Sequence, residues 1–357
     1  MDMRKSVRCF KAGMRVILGM SSISSAIAAP LGLPPDGTHE IQPPALVQLG
    51  RSLFLDKRLS IDGTMSCASC HRPDLNFTDA YPTAHGLRGK TLTRRTPSLL
   101  NVRYSLSLFW DGRATDLDSQ VRMPLLSAFE HGLPDAQSVA AVVQADPGYT
   151  RTFENLFGVG REAISLREVG AALAAYERTL LTGNSPFDRY LYGGDRKAMS
   201  GSAVRGLALF RGRAQCANCH TIGASAALFS DGGFHSSPVR ISDSTLEHLG
   251  TLAERVRTLR QSGQLDALNA LVTTDRNVAA LGRFVVTLNP DDIGRFKTPS
   301  LRNVALNGPY MHDGSVKTLQ EAAEIELYGR SARNYPLVLT EDERGDLLAF
   351  LKALSSS

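Results

Sequence analysis

The run Cys67-Ala68-Ser69-Cys70-His71, and its return as Cys216-Ala217-Asn218-Cys219-His220, constrains this chain more than any other feature. C-x-x-C-H is the attachment signature of a c-type haem. The two thiolates add across the vinyl groups of one macrocycle, and the adjacent imidazole binds the iron. A bare C-x-x-C also serves as half of a zinc site or as a redox pair. Two copies, each closed by histidine and together holding four of the chain's five cysteines, point instead to two covalent haems, one on His71 and one on His220. In such a chain the cofactor itself fills much of each core.

The fifth cysteine, Cys9, falls in a segment of another kind. Arg4, Lys5, Arg8, Lys11 and Arg15 form a basic region, an apolar and small-residue stretch runs from Val16 to Ala29, and Ala26-Ile27-Ala28 fits a small-x-small cleavage site. This predicts a secretory signal peptide over residues 1–28, removed before Ala29. The stretch is too short and too serine-rich for a membrane span. Export to the periplasm agrees with the haem motifs, because bacteria attach haem c outside the inner membrane. Of the formal net charge of +5, residues 1–28 hold five basic residues and one acidic residue, which leaves the remainder at about +1. That near-neutral balance argues against nucleic acid or an anionic membrane as partner.

The length allows two domains, and the same plan appears twice. Ala45–Phe54 carries Leu46, Leu49 and Leu53 on one helical face and ends Gly50-Arg51-Ser52-Leu53-Phe54 ahead of Cys67. Gly206-Leu207-Ala208-Leu209-Phe210 stands in the same relation to Cys216. Downstream, Thr96-Pro97-Ser98-Leu99-Leu100-Asn101-Val102 matches Thr298-Pro299-Ser300-Leu301-Arg302-Asn303-Val304, and Phe109-Trp110-Asp111-Gly112 matches Met311-His312-Asp313-Gly314. Every pair is 202 residues apart, which marks a duplication. Each half closes with a capped helix. Ser165-Leu166-Arg167-Glu168 precedes the stripe Leu166, Val169, Leu173, Tyr176 and Leu180, and Thr340-Glu341-Asp342-Glu343 precedes Leu347, Leu351 and Leu354. The stripes read as core. The linker falls at Tyr192–Gly201, and residues 243–271 read as an insertion of surface helices with no counterpart in the first half. Strand signals such as Val285-Val286 are short and isolated. The expected fold is mostly α, two tandem cytochrome c-like domains over 29–195 and 196–357 with long ordered loops.

These motifs, with Phe109-Trp110-Asp111-Gly112-Arg113-Ala114, Phe296-Lys297-Thr298-Pro299-Ser300 and Pro309-Tyr310-Met311-His312-Asp313-Gly314, resemble the bacterial dihaem cytochrome c peroxidase family, and more particularly its MauG-like branch. The resemblance covers nearly the whole chain after the leader. It implies that the haem on His71 reacts with hydrogen peroxide and that the haem on His220 transfers electrons. It places Glu130 as the distal proton shuttle, Gln120 as the distal hydrogen-bond donor and Trp110 between the haems, and O–O cleavage needs such a proton carrier. Read without it, Glu130 is a solvated loop acid and Trp110 is core filler. His85 sits where peroxidases carry a histidine that caps the first iron; an exposed loop histidine is the alternative.

The sixth ligand of the second haem separates the branches. Peroxidases place a Met fourteen residues after the histidine of the H-D-G motif, where this chain has Glu326. MauG-like proteins use a Tyr in this region, and Tyr328 lies two residues on. A phenolate lowers the haem potential, whereas a thioether raises it; a thioether here would come from Met311, Met123 or Met199. His312 reads as a neighbour of a haem rather than a ligand, and His235 takes no role. Family members often hold Ca²⁺ through an Asn where this chain has Arg95, and a guanidinium cannot coordinate a cation, so Ca²⁺ is expected to bind weakly or not at all. Three functions compete: a MauG-like oxidase acting with peroxide on a side chain of a partner protein, a cytochrome c peroxidase fed by a small cytochrome or cupredoxin, and a dihaem electron carrier. The carrier has no use for Gln120 and Glu130.

Overall fold

A computed structural model of the chain describes residues 29–35, 41–239, 241–331 and 337–356. The expected leader lies outside the described residues. The chain is largely helical with little strand, as the sequence implies.

Each half is built on one pair of crossed helices. α1 (Pro44–Leu55) has proline in its first turn, where the backbone N–H has no helical partner to lose. It buries Leu49, Leu53 and Phe54 against α2 (Leu166–Glu177), whose start is held by the Ser165/Glu168 capping box. The axes approach closely because Gly50 has no side chain: a methyl group there would come within 1.9 Å of the Ala172 carbonyl oxygen. The second half repeats the device. α3 (Gly201–Arg211) follows the linker, and α4 (Leu319–Arg330) leads to α5 (Glu341–Lys352), which crosses α3. Here a methyl group on Gly206 would meet the Asp346 carbonyl oxygen at 2.0 Å. Phe54 packs edge-on against Tyr176 with centroids 5.2 Å apart, and Phe210 against Phe350 at 4.9 Å. Each such buried side chain stabilises its core by roughly 1.5–3 kcal/mol.

The loops repeat as faithfully as the helices. Asn101 and Asn303 are both left-handed, at φ +61° and +57°. The Asn101 side chain ties the chain at Thr182, accepting from its N–H and donating to its carbonyl. Asn303 accepts from the Ser356 N–H in the same way. Between the halves the Arg95 N–H donates to the His312 carbonyl and the Lys297 N–H to the Trp110 carbonyl, each at 2.9 Å. Both members of one bond lie 202 residues from those of the other, so the halves meet by a reciprocal exchange.

Three features depart from simple repetition. The insertion forms helices Asp243–Glu247, Leu249–Gln261 and Leu265–Thr274, and the apolar faces of the last two make a third core with Val278, Leu281 and Phe284. It is more than surface decoration, because Thr93 of the first half donates to the Val272 carbonyl. The only sheet among the described residues pairs β1 (Phe234–Ser236) antiparallel with β2 (Arg295–Lys297), His235 opposite Phe296. Val285 and Val286 fall in a helical turn, Phe284–Thr287. Last, the segment before α1 is clasped by the second half. The Gly32 carbonyl accepts from Ala227 N–H and from the Arg302 guanidinium. That guanidinium also forms two bonds, of 2.8 and 2.9 Å, to the fully buried Asp188.

Candidate functional site

The two C-x-x-C-H runs are presented in parallel. Cys67–Cys70 forms one helical turn, closed by the Ser66 N–H donating to the Ser69 hydroxyl. His71 then places Nδ1 3.0 Å from the carbonyl of Phe77. In the second half Cys216–Asn218 forms a tighter turn, and His220 Nδ1 lies 2.9 Å from the Phe229 carbonyl. A carbonyl only accepts, so Nδ1 carries the proton in each ring and Nε2 carries the lone pair that a metal requires. Burial lowers the His71 pKa, which favours the neutral, ligating form. Both carbonyls belong to phenylalanines with positive φ, Phe77 at +54° and Phe229 at +53°.

Cys70, His71, Cys216, Cys219 and His220 line one continuous cavity of about 760 Å³ that runs through both halves. Gln120 and Glu130 line its first-half end with Arg113 and Pro124, so the sequence brought the expected distal pair to one place. Burial pushes the Glu130 carboxyl above its ordinary pKa, against a Ser127 hydrogen bond and the Arg113 charge. Arg113 was not singled out in the sequence, although it stands in the Trp110 motif. Its guanidinium lies 3.6 Å from the Phe109 ring centroid and is paired with Asp111 at 3.1 Å. Asp111 is fully buried. Burial alone would raise its pKa, but Arg113 and Arg94 together hold it below the usual carboxylate range.

Trp110 lines the same cavity where the halves meet, its indole N–H donating 2.9 Å to the Arg95 carbonyl. His312, its repeat counterpart, stacks on Phe296 with centroids 3.7 Å apart. Burial and the nearby Arg94 charge lower His312 to about 4, so it is neutral at ordinary pH. Lys297 is half-buried beside them, lowered to about 8 by desolvation, and donates 2.7 Å to the Ser107 carbonyl. His235 lines the rim and pairs with Asp231 at 2.7 Å.

Two expected iron ligands are not brought to this cavity. His85 is exposed, its ring 4.5 Å from that of Tyr81, while its carbonyl lies 3.6 Å from the Cys70 sulfur. Tyr328 is 67 % exposed and lines a separate pocket of about 50 Å³ with Leu337 and Leu339. The cause is helical geometry. Leu319, Ala322, Ala323 and Glu326 of α4 face the cavity, and two further residues turn the helix by about 200°. Of the methionines, Met311 lines the cavity, Met199 is buried in the second core, and Met123 packs against Leu108 and Leu117.

Arg95 is buried at the seam. Its guanidinium donates to the carbonyls of Asn307, at 2.5 Å, and Gly308, at 3.3 Å. A cation of the chain itself thus sits among carbonyls of the opposite half.

The donor set fits a haem in each half: paired cysteines outside any disulfide among the described residues, an imidazole fixed through Nδ1, and a largely apolar cavity. Comparison with known proteins agrees. The family model described as Di-haem cytochrome c peroxidase matches residues 44–196. The methylamine utilization protein MauG of Methylorubrum extorquens is 36 % identical over 88 % of this chain and 79 % of its own. Cytochrome-c peroxidase IdrP1 of Denitromonas iodatirespirans is 35 % identical over 96 % of this chain and 93 % of its own. A crystal structure of a MauG-like protein associated with microbial copper homeostasis superposes with a TM-score of 0.70 and 31 % identity, covering 91 % of this chain and 93 % of that one.

Proposed function

This chain belongs to the di-haem cytochrome c peroxidase family, and from that premise we propose that it is an exported enzyme in which hydrogen peroxide reacts over His71 and the oxidising equivalents pass by Trp110 to the second half. The observation that carries this reading is the single cavity, with the Gln120–Glu130–Arg113 set at one end, Trp110 at the seam and His220 at the other end. Cys67, Cys70, Cys216 and Cys219 would hold two haems covalently, with His71 and His220 toward the irons, and these would supply the redox chemistry toward peroxide.

The chain's own residues supply the proton chemistry. Glu130 as carboxylate accepts the proton of one peroxide oxygen and returns it to the other, so that water can leave. Gln120 offers an amide N–H to orient the peroxide. Arg113 favours the carboxylate form of Glu130 and negative charge developing on the departing oxygen. Trp110 provides the aromatic bridge across the seam, fixed by its bond to Arg95. The final reductant in this reading is a side chain of a partner protein. The outward-turned Tyr328 favours a second reading, a peroxidase that takes electrons from a small redox protein, since it removes the expected phenolate from the second haem. No helix among the described residues is long and apolar enough to cross a membrane, and residues 1–28 support export. Arg95 supports calcium independence, because its guanidinium already holds the Asn307 and Gly308 carbonyls.

The test is the spectrum of the oxidised holoenzyme before and after one equivalent of hydrogen peroxide. A long-lived two-electron-oxidised species, lost in Glu130→Ala, supports the oxidase. A reaction only after partial reduction assigns the chain to the conventional peroxidases. Peroxide reactivity that survives in Glu130→Ala removes the proton-shuttle role. Chelation followed by metal analysis is expected to find no tightly held calcium and no loss of activity.

A further inference from the structure

We propose that Glu326, rather than Tyr328, supplies the side-chain oxygen that would bind the iron of the second haem. The inference rests on the reading that each half holds one haem. It begins from which face of α4 the cavity sees. Leu319, Ala322, Ala323 and Glu326 line it at helical spacing, joined by Leu347 and Leu351 of α5. Glu326 is the one member of this wall with a donor atom; the other five are hydrocarbon.

The duplication identifies the wall. Asp116 and Thr318, 202 residues apart, each cap a helix by accepting the N–H of the third residue on. From that shared start Leu117 corresponds to Leu319, Gln120 to Ala322 and Pro124 to Glu326. Gln120 and Pro124 line the first-half chamber together with Glu130. The α4 face is therefore the second chamber's version of the distal wall, with His220 as the version of His71. Its one polar side chain has moved from the first turn of the helix to the last cavity-facing position. A carboxylate there is an anionic oxygen donor, which favours ferric over ferrous iron and lowers the haem potential, as a phenolate would.

The experiment uses the purified holoenzyme with its haem content measured. Low-temperature electron paramagnetic resonance and the two haem midpoint potentials are recorded for wild type, Glu326→Gln, Glu326→Met and Tyr328→Phe. The expected result is that Glu326→Gln abolishes one ferric component and shifts one potential upward. Glu326→Met replaces that component with a thioether-type spectrum and raises the potential further, and Tyr328→Phe leaves everything in place. A Tyr328→Phe variant that alone loses the component overturns the proposal, as does a Glu326→Gln variant with wild-type spectrum and potentials. A wild-type spectrum of phenolate or thioether type overturns it without any variant. Fewer than two haems per wild-type chain would instead overturn the reading on which it rests.

Discussion

The two chambers share a scaffold and differ in what hangs on it. Crossed helices, a glycine at each crossing, a left-handed asparagine and a histidine bonded through Nδ1 recur in both halves with distances that agree closely. At matched positions of the repeat the side chains diverge: Trp110 against His312, Arg113 against Ser315, Gln120 against Ala322. The helix wall that carries Gln120 in the first half is hydrocarbon in the second, apart from Glu326. The backbone therefore specifies where a cofactor sits, and a handful of side chains specify what it does there.

The comparison is tested most severely at Glu130. Glu130→Gln keeps the shape and removes proton transfer, so the rate of the holoenzyme with peroxide should fall by about 10²–10⁴-fold in stopped-flow measurements. Burial raises the Glu130 pKa, and the shuttle acts first as a base. The wild-type rate should therefore rise with pH through a value above the ordinary carboxylate range, and the variant should lack that limb. Next comes the Arg302–Asp188 pair. It ties Arg302 of the second half to residue 188 and has no repeat counterpart, since position 100 is leucine. Asp188→Ala leaves a buried guanidinium uncompensated and should cost about 3–5 kcal/mol in denaturant unfolding. Gly50→Ala and Gly206→Ala should each cost about 1–3 kcal/mol, and a large inequality between them would show that the two crossings are not equivalent.

The smallest effect concerns Glu177, whose second-half counterpart along the crossed helix is Leu351. Burial lifts the Glu177 carboxyl to about 8, with Arg178 opposing. The folded state holds a proton there that the unfolded chain releases near 4.5. Its contribution is complete below that value and is lost as pH rises through about 8. Glu177→Leu should remove this slope, so melting temperatures compared at pH 5 and pH 8 should differ less in the variant than in wild type.

The repeat and the core were legible because they rest on local patterns. Residues of α1 and the two capping boxes follow from helical spacing and from side-chain oxygens that accept N–H groups of the first turn. Gln120 and Glu130 were legible only through the family resemblance, since a loop carboxylate has no periodicity to betray its burial. Tyr328 lines a pocket apart from the large cavity, a direction around the helix that distance along the chain does not display. Arg113 and Arg94 were passed over for a related reason: their importance lies in converging on Asp111 from separate loops, and the sequence does not display that convergence.

The clasp at Gly32 constrains how the molecule can be made. The Arg302 guanidinium that seizes its carbonyl lies 270 residues further along the chain. A contact of that span raises the contact order and closes late, because the intervening chain must first be ordered. The segment around Gly32 is thus secured near the end of folding, after the chain as far as Arg302 has been made. Until then the strap has no Arg302 to bind, so its closing joins the beginning of the described fold to a second half that is already made.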